Sequence, residues 1–74
     1  MLLWRTHRMK KARVFSGLTQ MEVSQRTKID RAKLSEAESG YIRLSDSESE
    51  AVRRVVFPAL RQRKSEIEKL LLEK

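Results

Sequence analysis

Cysteine is absent from the 74 residues, and histidine occurs once, at His7. That excludes disulfide frameworks, thiol chemistry, zinc ribbons and any multi-histidine metal site. Glycine (two) and proline (one) are scarce, and aromatics make up only 5% of the chain. A chain so poor in turn formers reads as helical, with no collagen-like or low-complexity character. Long apolar runs are missing too. Met1-Leu2-Leu3-Trp4 is closed at once by Arg5 and Arg8, too short for a signal-peptide core. Nothing approaches the roughly 20 apolar residues of a bilayer span. A soluble, cytoplasmic protein of one small domain is expected.

Charge is plentiful and unevenly placed. Lys and Arg number 17 against 10 Asp and Glu, a net charge of +7. Residues 1–33 carry nine of the basic residues and only Glu22 and Asp30 as acids, while residues 34–74 carry eight of each sign. The whole excess therefore lies in the first half, as expected of a side that faces a polyanion. A generally basic solvated surface is the alternative.

Residues 4–16 are rich in helix formers, with Met9, Ala12 and Phe15 recurring on one side. Gly17 stops this helix. Thr19 and Glu22 then have the spacing of a capping box, opening a helix to about Arg26 with Val23 inward. Thr27-Lys28-Ile29 forms a tight corner. Asp30 is placed to cap a short helix from Arg31 to Glu38, with Leu34 and Ala37 inward and Gly40 as its stop. After the connector Tyr41-Ile42-Arg43-Leu44, Ser45 and Glu48 form a second capping box, and Val52, Val55 and Val56 give the next helix its apolar side. Pro58 either kinks this helix or starts another. A new or sharply bent helix over 58–72 is the expectation, making five helices in an all-α domain.

Two short helices around a tight corner constitute a helix-turn-helix unit, here over about residues 19–39. Counted from Gln20, the fifth residue is the small Ser24, which lets the helices approach. The tenth, Ile29, plugs the corner, and Leu34 and Ala37 put an apolar face under the second helix. Gly17-Leu18-Thr19-Gln20, followed by Ile29, Leu34 and Glu38-Ser39-Gly40, resembles the phage-repressor (Cro/C1, Xre-type) helix-turn-helix family over roughly residues 5–60. The sequence departs from that pattern at Lys28, where Gly is usual, at Ser24, where Ala is usual, and after Gly40, where a frequent Pro is missing.

The resemblance implies a lambda-repressor-like domain over residues 1–57 that binds double-stranded DNA in a bacterial or phage-infected cell, with no cofactor. Residues 31–38 would be the recognition helix in the major groove. Arg31, Ala32 and Glu36 match base-reading positions, and Lys33 and Ser35 flank them. The side-chain chemistry suits this: Arg to a guanine edge, Ala to a thymine methyl, a carboxylate to cytosine N4. Glu36 can instead pair with Arg31 or Lys33 along the helix. Gln20 matches a position at a helix start that contacts phosphate and braces the recognition helix. Ser39, Tyr41 and Arg43 match phosphate contacts beyond that helix, and Arg26 and Lys28 add long-range attraction. Arg13 and Glu38 match a partly buried ion pair whose role is orientation.

His7 reads as a surface residue and Trp4 as a core anchor. No nucleophile–base constellation is present, so no enzyme activity is expected. The segment 58–74 carries a stripe of Leu60, Ile67, Leu70 and Leu71. It can fold back on the domain or form a dimer seam; the seam is favoured, because so small a core rarely uses that much aliphatic surface alone. The expected partners are DNA and a second copy, giving a dimeric transcriptional regulator, a repressor by occupancy, on a palindromic operator. One rival is an antitoxin or adaptor whose C-terminal helix binds another protein. The other is a basic membrane binder, against which the two capping boxes argue.

Overall fold

The computed structural model describes residues 7–73. Four helices follow in chain order: α1 (His7–Ser16), α2 (Gln20–Thr27), α3 (Arg31–Glu38) and α4 (Asp46–Leu72). Trp4 lies outside the described residues, as does the side chain of His7. Among the described residues no helix is long and apolar enough to cross a membrane.

The helix starts are written into the local sequence. At α2, the Glu22 amide donates to Thr19 Oγ1 at 3.0 Å and the Thr19 amide donates to Glu22 Oε1 at 3.0 Å. Ser45 and Glu48 repeat the arrangement at α4. Each box satisfies two of the orphan amides that a helix start exposes, including its own cap residue's. Asp30 occupies the cap position of α3, but its side chain makes no capping bond. Gly17 ends α1 at φ +82°, and the Arg63 guanidinium from α4 lies 3.5 Å from where a Cβ would stand.

Met9, Val23, Ile29, Leu34, Ala37, Leu44, Val52 and Val56 form the core, so every helix contributes. Phe15 does not join them. It is 66% exposed, while the adjacent Ser16 is buried and donates to the Arg13 carbonyl at 2.6 Å. On α1 the buried arc runs through Met9, Arg13 and Ser16, at steps of four and three, which turns Phe15 outward.

The expected fifth helix is the second half of α4. Pro58 sits inside a continuous 27-residue helix, so the boundary drawn there divides one element. Proline deprives the Arg54 carbonyl of its partner. Ending one helix and starting another would instead leave up to four amides and four carbonyls to satisfy, and no glycine or capping residue adjoins Pro58 to do it. The longest dimension of the molecule, 44 Å, is close to the ~40 Å length of such a helix. From Arg61 onward every described residue of α4 is exposed, so its far end projects beyond the core.

Candidate nucleic-acid interface

The corner between α2 and α3 is held by hydroxyls as well as by apolar packing. Ser24 Oγ donates to the Ile29 carbonyl at 2.6 Å, so this side chain ties the two arms of the corner together. Thr27 Oγ1 donates to the Val23 carbonyl and accepts from the Ile29 amide. Between them Lys28 adopts the left-handed conformation, φ 64°, with its amide bonded to the Ser24 carbonyl at 2.9 Å. The Cβ costs on the order of 1 kcal/mol there, which the bonds on either side offset. Ile29, 5% exposed, closes the corner from below.

A second network fixes the other end of α3. Arg13 on α1 donates to Glu38 through Nε at 2.7 Å and Nη2 at 3.0 Å, and through Nη1 to the Leu18 carbonyl at 2.9 Å. Gln20 Nε2, at the start of α2, donates to Glu38 Oε1 at 2.9 Å. Arg13 and Glu38 are both buried. No buried side-chain nitrogen or oxygen among the described residues lacks a partner. One carboxylate thus ties α1, α2 and α3 together. Removing two charges from water offsets most of the Coulombic gain, so the geometry it imposes is the larger consequence.

With Leu34 and Ala37 at 0% exposure beneath it, α3 turns Arg31, Ala32, Lys33 and Glu36 to solvent, with Ser35 half-buried at the edge. Lys33 is not free: its Nζ lies 2.7 Å from Glu48 Oε2 on α4. Glu48 uses its other oxygen in the Ser45 cap at 2.9 Å, and its carboxyl is held below the ordinary value, first by the Lys33 bond and then by the Ser45 amide. Glu22 is lowered likewise, by the Thr19 amide and hydroxyl. Among the described residues Arg31 and Glu36 have no ion-pair partner.

The remaining candidates flank α3 at both ends. Arg26 and Lys28 lie before it, Ser39, Tyr41 and Arg43 after it, and all five are exposed, Tyr41 by 82%. Gln20 is half-buried, with its amide turned toward Glu38. Leu60 is half-buried, whereas Ile67, Leu70 and Leu71 stand 52%, 69% and 63% exposed on the projecting end of α4, remote in sequence from the α2–α3 unit.

Two features escape the sequence reading. Reading Ser24 for size alone hides its hydroxyl bond. The Lys33–Glu48 pair joins residues 15 apart on different elements and leaves no local signal. Among known proteins the chain matches no family model, no curated protein and no solved structure.

Proposed function

We propose that this chain is a sequence-specific double-stranded DNA-binding regulator of transcription, of bacterial or phage type. In this reading the α1–α3 unit is a lambda-repressor-like helix-turn-helix domain of the Cro/C1 kind. The observation that carries the reading is the setting of α3. It is a two-turn helix bolted at its C-terminus by Arg13 and Gln20 and sealed beneath by Leu34 and Ala37, yet Arg31, Ala32, Lys33 and Glu36 on its outer face are exposed, and among the described residues Lys33 is the only one of these four in an ion pair. A rigid, exposed helix edged with cations can lie in a major groove without rearranging.

Arg31 at its N-terminus would bond a guanine edge, worth about 1–3 kcal/mol of discrimination, and Ala32 would meet a thymine methyl. Glu36 would accept from cytosine N4, while Arg26, Lys28 and Arg43 would hold phosphate on either side. A homodimer would present two such helices to a palindromic operator and act by occupancy. Selection of bound duplexes from a random pool tests this. An enriched palindrome that persists at raised salt is expected; a pool that stays random, with binding lost steeply in salt, would leave only phosphate attraction and overturn the reading.

The exposed leucines at the end of α4 favour a second reading, an adaptor or antitoxin that docks another protein there. Selection that yields no motif, together with a chain that stays monomeric, would point to it.

A further inference from the structure

The far half of α4 and the outward-turned Phe15 together line an apolar groove. Its volume is about 660 Å³, and its floor and walls are Phe15 from α1 with Phe57, Leu60 and Ile67 from α4. Its rim is basic, with Arg61, Arg63 and Lys64 against the single acid Glu68. We propose that this groove receives the distal half of α4 from a second copy of the chain, running antiparallel to its own.

Three observations select that occupant. The distal half of α4 carries exposed apolar surface: Ile67, Leu70, Leu71 and Leu72 are all more than half exposed. Its seam has coiled-coil spacing, since Phe57, Leu60, Lys64, Ile67 and Leu71 follow one another at intervals of three and four. Its charge is segregated along the helix. Residues 61–64 read RQRK, three cations and no acid, while residues 66–73 read EIEKLLLE, three acids and one cation.

A parallel pair would set RQRK against RQRK, and like charges across a seam oppose association. An antiparallel pair sets the basic stretch of each copy against the acidic stretch of the other, and two-fold symmetry makes the contact twice. Lys64, polar in the middle of the seam, then faces the acidic stretch of the second copy, so a shifted register would strand its charge. The leucines of one copy's tip reach the Phe15 groove of the other. A second copy supplies both the leucine-rich acidic helix the groove fits and an identical groove in return.

This inference rests on the dimeric half of the proposed reading, and its test contains no DNA, so its failure leaves the assignment of α3 to be judged by duplex selection alone. Sedimentation equilibrium of the full chain should show a monomer–dimer equilibrium below on the order of 100 μM. Phe15→Glu, at an exposed position, should keep the wild-type melting midpoint at concentrations where both chains are monomeric, and weaken the dimer by about tenfold or more. Orientation is read by disulfide trapping, for which the cysteine-free chain is a silent background. Leu60→Cys and Leu71→Cys chains should cross-link with each other and not with themselves, because an antiparallel seam brings position 60 opposite 71. Self-cross-linking of either variant would mean a parallel pair and overturn the proposal. So would a wild-type chain that stays monomeric throughout, or a Phe15→Glu variant that dimerises as wild type does.

Discussion

Lys28 and Arg13 are the residues at which the domain departs most from an average helical surface. Lys28 holds φ 64° in the corner, a conformation that disfavours a side chain. Lys28→Gly should therefore raise stability by about 0.5–1 kcal/mol in urea unfolding, with the corner bonds of Ser24 and Thr27 intact. No gain would mean that the lysine side chain makes a compensating contact. Arg13 satisfies both oxygens of Glu38 and the Leu18 carbonyl. Arg13→Met keeps the bulk but leaves a buried carboxylate with Gln20 as its remaining donor, a loss of about 3 kcal/mol. For a domain this small that is on the order of 15 °C in melting midpoint. A shift of a degree or two would show that the pair is dispensable.

At the scale of elements, the caps make stability depend on pH. Glu22 and Glu48 both titrate below their ordinary value of 4.5. Groups so shifted stabilise the fold above the unfolded carboxylate range and lose that contribution as pH falls through the lower folded values. The melting midpoint should hold above about pH 5 and fall as the pH drops below it. Glu48→Gln isolates one share of this, because glutamine at the third helical position still completes a capping box. The variant should show a shallower acid slope. With Lys33 released, it should also bind duplex with a steeper salt dependence, by up to about 0.9 in log–log slope. An unchanged slope on both counts would mean that the Lys33–Glu48 pair has no role in solution.

The same elements show what a sequence discloses. Thr19 with Glu22, and Ser45 with Glu48, are legible because a capping box is a contact between residues three apart; the bounds of α3 match the Asp30 and Gly40 signals, although the Asp30 side chain makes no capping bond. Pro58 is misleading for the converse reason. Its local signal says stop, and the decision lies with the cost of eight unsatisfied backbone groups and the packing of Val52 and Val56 upstream. Phe15 misleads because one apolar residue cannot report which arc of α1 meets the core. The Lys33–Glu48 pair is illegible because it is made by the fold.

At the scale of the whole molecule, charge and exposed apolar surface are unevenly distributed along the chain. The core and the three-way Glu38 junction set α3 on one part of the domain, and α4 carries unspent apolar surface away from it on a projecting end. The excess positive charge belongs to the chain segment that ends within α3, while the second half sums to zero and is segregated along α4. In the proposed reading the α2–α3 unit meets DNA and the projecting end of α4 meets a second copy. The claim at its centre is that the outer face of α3 reads sequence. It is tested most directly by repeating the duplex selection with Arg31→Ala beside the wild type. The variant's motif should be unchanged except for one position in each half-site, where the preference relaxes by about 1–3 kcal/mol. A motif identical to that of the wild type would contradict it.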